Sequence, residues 1–208
     1  MQTPEDGRTA RKRKAIMEAA TELFLRKGYP GTSMDEIAAT AAVSKQTVYK
    51  QFKDKETLFG AIILNASSKV GLFVDAIDAL RDTDDLDQDL TGLARRYITT
   101  VIQPEGLQLR RLLIAEADRF PEVAADYYRR APERTIAALA ACFQHLAARG
   151  LLRLDDPVLA AGHFAWLVLA TPMDRAMFFG HDDNQTPAGL ERLADEGVRV
   201  FLAAYSAR

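Results

Sequence analysis

A chain of 208 residues, 48% hydrophobic and 27% charged, is long enough for one or two domains with a real core. Its single cysteine, Cys142, lies in the apolar run AALAACFQHL, which excludes an intrachain disulfide and suits a reducing cytoplasm. The N-terminus is polar and basic where an export signal needs an apolar stretch, and no window reaches ~18 uninterrupted apolar residues, so a soluble protein with no membrane partner is expected. The net charge of -2 is unevenly placed: residues 1–60 carry 11 Lys/Arg against 8 Asp/Glu, and the remainder 16 against 21. Arg8, Arg11, Lys12, Arg13 and Lys14 cluster just ahead of the first helical pattern, where they would attract a phosphate backbone without reading sequence.

From Arg11 to Lys27, Ile16, Ala19, Ala20, Leu23 and Phe24 repeat at helical spacing, and Gly28, Pro30 and Gly31 stop the helix. Ser33 followed three residues later by Glu36 is a capping box, and Met34, Ile37, Ala38 and Ala41 then fall on one face of a second helix. Ser44 can cap a third, in which Val48 and Phe52 point inward. Its outward surface gathers Lys45, Gln46, Thr47, Tyr49 and Lys50: cations, an amide, a hydroxyl and a phenol. Lys and Gln can hydrogen-bond base edges, Thr adds a methyl contact and Tyr can donate to a phosphate, so the surface suits a duplex groove. Asp54 caps a long fourth helix with Leu58, Phe59, Ile62, Ile63, Ala66, Val70, Phe73 and Ile77 inside, and Lys55 at its start is placed to meet a phosphate beside the helix dipole.

The acid-rich stretch RDTDDLDQDL reads as a solvated turn, since a calcium loop would need a central Gly and a twelfth-position Glu. Helical patterning resumes at Leu90 and runs to a stop at Pro104 and Gly106, followed by a helix from Leu107 to Asp118. Pro121 opens the next and Pro132 another, whose stripe of Ile136, Leu139, Ala140, Phe143 and Leu146 closes at Gly150. Asp156 and Pro157 start a helix that is apolar nearly all round and is ended or kinked at Pro172. Thr186 and Pro187 start the last, with Leu190, Leu193, Ala194, Gly197, Val198, Phe201, Leu202 and Tyr205 at spacings of three and four. With other faces used by the core, these last two long helices are the expected interface of a homodimer.

The strings TSMDEIA and AVSKQTVYKQFKDKETLF resemble the helix-turn-helix of the TetR family of transcriptional regulators, over about Arg11 to Gly60. Ala42 departs from the pattern, since the family often has Gly there: a turn needing positive φ would make Ala costly, and a right-handed turn would accommodate it. RRLLIAEADRFPEVAADYYRRAPERTIAAL and LLRLDDPVLAAGHFAWLV are similar to the AefR-like branch of the same family. The resemblance implies an all-α fold: a homeodomain-like three-helix DNA-binding domain over 1–54 and a helical ligand-binding and dimerisation domain over 55–208. It further implies a repressor, released from a palindromic operator on double-stranded DNA by a small, largely apolar effector. Carried onto this chain, Lys45, Gln46 and Thr47 would face bases or adjacent phosphates, and Thr32, Ser33, Tyr49, Lys50 and Lys55 would anchor the backbone, with Ser44 completing the set.

Effector contacts with both shape and a polar handle are sought among Tyr97, Glu116, Phe120, Tyr127, Phe143, His163, Trp166 and Met177. Glu116 and His163 stand out because both fall on otherwise apolar faces, where an unpaired polar group is costly. No enzyme is expected, and with it no catalytic residue, cofactor or metal: the three histidines lack HExxH spacing, no Gly-rich phosphate loop occurs, and Cys142 has no basic neighbours. The alternative is a helical ligand-binding dimer without DNA-binding activity.

Overall fold

The computed structural model describes residues 4–67, 70–180 and 185–207, and among them eleven α-helices form and no strand. Packing divides the chain into two compact units, one of residues up to Ala66 with Gln108–Asp126, the other of Ser67–Leu107 with the residues from Tyr127 onward. The expected boundary at residues 54/55 differs from this division because the helix after it, through Leu58, Phe59, Ile62 and Ile63, is buried with the N-terminal helices.

The first unit begins with α1, Pro4–Lys27. The basic cluster of Arg8 to Lys14 therefore lies within a helix, where the apolar periodicity from Arg11 had set the expected start seven residues late. Gly28 ends α1 at φ 73, its N–H donating to the Phe24 carbonyl at 2.9 Å. Then come α2, Met34–Thr40, α3, Lys45–Gln51, and α4, Lys55–Ala66. Their inner faces bury Ile16, Ala20, Leu23, Phe24, Ile37, Val48, Phe52, Leu58 and Phe59. The later segment contributes Phe120, whose ring lies 4.8 Å from Tyr29 and 5.4 Å from Phe59, and Gly60, where an added Cβ would stand 3.6 Å from Val123.

The long fourth helix expected to reach Ile77 is helical on both sides of Ser68 and Lys69, which lie outside the described residues; its continuation α5 is Val70–Ala79 in the second unit. A short 3-10 turn, Leu80–Asp82, leads to α6, Leu86–Val101, which starts four residues earlier than the apolar pattern suggested. The acid-rich stretch is thus structured. Asp85 caps α6 through the Gln88 N–H, buried Thr83 donates to Asp89, and Arg149 donates to the Thr83 carbonyl at 2.8 Å.

Two prolines play other parts than expected. Pro104 opens α7, Pro104–Ala115, rather than closing a helix, consistent with a ring that presets helical φ where the N–H has no partner to lose. After α8, Pro121–Tyr128, Pro132 sits inside a π turn, Arg129–Glu133, that runs directly into α9, Arg134–Ala148. A π turn tolerates the missing donor because its hydrogen-bond register is already shifted.

Helix α10, Pro157–Phe179, passes through Pro172 unbroken and ends at Gly180, φ 59; α11 is Pro187–Tyr205. Phe143 of α9, Phe164 of α10 and Phe201 of α11 interlock at centroid distances of 5.0–5.6 Å. Gly197 lets α11 approach closely, since a Cβ there would stand 3.1 Å from the Leu167 backbone. Cys142 is buried in this core, and desolvation pushes its thiol up to about 11, which leaves it an inert small hydrophobe.

Candidate nucleic-acid interface

Local sequence rules place α2 and α3. Ser33 accepts the Glu36 N–H at 3.2 Å and Glu36 returns the bond to the Ser33 N–H, so the capping box closes. Its carboxyl is held below the ordinary glutamate range, first by Lys27 and then by the Ser33 N–H. At the other end, the Val43 N–H reaches the Ala38 carbonyl at 3.0 Å and the Ala42 N–H the Ala39 carbonyl at 3.2 Å, a complete Schellman turn. The left-handed residue of that turn is Ala42, at φ 51.

Ala42 therefore carries the strain that glycine would avoid. A left-handed alanine costs about 1–2 kcal/mol, while glycine's greater freedom in the unfolded chain returns roughly 0.5–1. Ala42→Gly is thus expected to stabilise the protein by about 0.5–1 kcal/mol, read as a higher denaturant midpoint at unchanged slope. An unchanged or lower midpoint would mean that the surrounding turn relieves the strain.

Helix α3 is pinned at both ends. Ser44 accepts the Thr47 N–H at 3.2 Å and shares a further hydrogen bond with the Thr47 hydroxyl at 2.9 Å. At the C-terminal end Arg13 lays its guanidinium 4.2 Å above the Phe52 ring and donates to the Gln51 carbonyl at 3.2 Å, a cation on the terminal carbonyls. Arg13 is a positioning residue that the sequence offered only as one of a basic run. Between these anchors Val48 is fully buried, and Gln46, Tyr49 and Lys50 are exposed without a hydrogen-bond or ion-pair partner among the described residues. Lys45 is exposed as well, and its ammonium is paired with the Asp35 carboxylate of α2. Ser33, Ser44 and Thr47 border the same helices, with their hydroxyls engaged in capping.

Two expected phosphate anchors are turned inward instead. Thr32 is buried, and its hydroxyl donates to the Gly28 carbonyl at 3.0 Å. Lys55 donates to the carbonyls of Tyr29 at 2.9 Å and Thr32 at 2.7 Å, with its ammonium 4.3 Å over the Tyr29 ring. Desolvation lowers its pKa, and Arg119, itself 4.9 Å from the same ring, adds repulsion. The reason is that the loop after α1 leaves two carbonyls with no helical partner, and a long cation across the unit satisfies both. Position at a helix start could not reveal that partner.

The expected effector contacts fall in both units. Glu116, half-buried, and Phe120, buried, belong to the first unit. In the second, Tyr97 stacks on Phe73 at 4.6 Å, Phe143 fills the core, and Tyr127 and Met177 are half-buried. His163 is exposed and bonded through Nδ1 to the Tyr205 hydroxyl at 2.6 Å, and Trp166 is exposed, so neither sits on a covered apolar face. Because α10 is apolar nearly all round, its sequence carried no signal of which face α9 and α11 would cover.

Residues 16–62 match the family model for bacterial regulatory proteins of the tetR family, and residues 88–207 that for the C-terminal domain of AefR-like transcriptional repressors. The chain belongs to the TetR family. A TetR-family transcriptional regulator from Mesorhizobium loti, so described from its crystal structure, is 46% identical, with 96% of this chain and 98% of that chain covered at a TM-score of 0.87. The flavonoid-responsive regulator FrrA is 33% identical over 96% of this chain and 99% of its own, at a TM-score of 0.69. The HTH-type transcriptional regulator YvkB of Bacillus subtilis is 32% identical over 113 residues, 54% of each chain; this chain spans about half the length of the curated relatives it matches. The curated relatives are named HTH-type transcriptional regulators, and α2 and α3 form the helix-turn-helix within the stretch that matches the tetR model.

Proposed function

We propose that this TetR-family regulator reads an inverted-repeat site on double-stranded DNA as a homodimer in the cytoplasm, represses transcription there, and releases the site when a small apolar molecule binds its C-terminal helices. The observation that carries the reading is the outward surface of α3, where unpartnered Gln46, Tyr49 and Lys50 stand on a helix capped at one end and clamped by Arg13 at the other. A rigid helix with free polar tips suits a major groove.

Dimerisation is supported by α10, which exposes Val158, Leu159, Trp166, Leu167, Phe178 and Phe179 although its other side is packed. Each such side chain gains about 1.5–3 kcal/mol when covered, so a run of six favours a partner strongly. The flavonoid response named for FrrA supports an aromatic, largely apolar effector here. Release by that effector requires that it bind one conformer of the dimer better than the other.

Selection of duplexes from a random library by the purified protein, at two salt concentrations and beside a Tyr49→Ala, Lys50→Ala double variant, tests the reading. One inverted repeat should emerge, with half-sites about one helical turn, ~34 Å, apart, and should be lost in the double variant. Gln46→Ala should change preference at one position by about 1–3 kcal/mol, whereas Tyr49→Ala should weaken all sequences together. Equal losses in both would sink the division between base and backbone contacts, and no enrichment even at low salt would overturn DNA reading itself.

A further inference from the structure

We infer that Asp35 is a specificity-determining residue, whose carboxylate withholds Lys45 from DNA phosphates so that this lysine joins only complexes in which it reaches a base edge. The inference rests on the DNA-reading role above. Lys45 is the first residue of α3, the end of a recognition helix that meets base edges. Its ammonium lies on Oδ2 of Asp35, which sits in the first turn of α2, so the pair spans the turn between the two helices. The neighbouring acid, Glu36, takes Lys27 in the same way, while Lys50 and Lys53 have no ion-pair partner among the described residues. The cations of this surface are thereby sorted into held and free.

Magnitudes decide what the held one can do. Both members of the Asp35 pair are exposed, 65% for Lys45 and 57% for Asp35, so the pair changes an equilibrium by at most about fivefold. A single phosphate contact made in the same solvent is an interaction of the same kind, and making it would leave the Asp35 charge beside the DNA backbone. The exchange gains nothing. A good bidentate contact to a guanine edge is worth roughly five- to 150-fold and therefore outcompetes the carboxylate. Non-specific complexes then form without Lys45, and the correct site recruits it.

The test is a salt series of duplex binding, with the selected site and with an unrelated duplex, for the full chain, Asp35→Asn, Lys45→Ala and the double variant. On the unrelated duplex, Asp35→Asn should tighten binding by up to about fivefold at low salt and steepen the slope of log K against log [salt] by about 0.9 per protomer. Lys45→Ala should leave that slope unchanged while weakening the selected site by roughly five- to 150-fold, and in its background Asp35→Asn should no longer alter the slope. An equal steepening with and without Lys45 would assign the effect to loss of a repulsive charge and overturn the inference. A flatter slope from Lys45→Ala alone would overturn it as well, and that variant leaves α2 intact should Asp35→Asn disturb the helix. If the unsubstituted protein shows no salt-dependent binding to any duplex, DNA reading falls and the inference with it; if it binds and Asp35→Asn changes no slope, only the inference falls.

Discussion

Phe59→Ala is expected to destabilise the first unit by about 3–5 kcal/mol, the largest single loss foreseen in this protein. The ring is fully buried and stands edge-on to Phe24 at 5.7 Å and Tyr29 at 5.2 Å, while Phe120 tilts against it at 5.4 Å. Removing it takes away the transfer energy of the side chain and leaves three rings facing a void that rigid neighbours cannot close. Tyr29 is the most consequential of them, because the Lys55 and Arg119 cations lie over its ring and Lys55 also holds the backbone carbonyls at Tyr29 and Thr32. Against a typical domain stability of about 5–15 kcal/mol, the loss should be visible as a separate early transition in denaturant unfolding. Duplex binding should fall with it, since α2 and α3 pack on α1, which carries Phe24 of this cluster. A change below about 1 kcal/mol would show that the aromatic cluster packs loosely.

Gly31→Ala should cost about 3 kcal/mol, at the upper end of ordinary overpacking, although it adds one methyl group. That methyl would stand 2.5 Å from the Lys27 carbonyl oxygen and 3.4 Å from the carbonyl carbon, which are main-chain atoms that cannot rotate away. The loop cannot shift as a whole either. Gly28 anchors one end, Lys55 grips the carbonyls at Tyr29 and Thr32, and Ser33 caps α2 immediately afterwards. Gly92 in α6 is the internal comparison, because a Cβ there meets nothing within 4 Å. Gly92→Ala should stabilise by up to about 1 kcal/mol through helix propensity alone. Thermal melts of the two variants moving in the same direction would refute the steric argument.

Some elements were legible because their causes are short in range. The Ser33–Glu36 box, the Ser44, Asp156 and Thr186 caps, and the glycine stops at Gly28 and Gly150 all depend on residues within four positions of one another, and each forms as the sequence rules require. The outward set on α3 follows from the same logic, since burying Val48 and Phe52 obliges Gln46, Tyr49 and Lys50 to face out. Legibility fails where two local signals compete. Pro132 could open a helix or sit within a widened turn, and the acids before Leu90 could be a solvated loop or the capped start of α6, beside which Arg149 holds the Thr83 carbonyl from 66 residues away.

The sequence by itself determined the all-helical architecture, the helix-turn-helix and the polar surface it presents, because periodicity, caps and turn residues act along the chain over one or two turns. The tertiary structure alone decided that Lys55 and Thr32 are spent on backbone carbonyls, that Lys45 is held by Asp35, that Arg13 pins α3, and which side of α10 stays bare. Apart from Thr32, whose partner Gly28 is four residues back, each of these depends on a partner ten to 38 residues away, as in the Lys45–Asp35 and Arg13–Gln51 contacts, or on which helix covers a uniformly apolar face. A charged side chain reaches whichever unsatisfied group the fold brings within its length, and that choice is made in space.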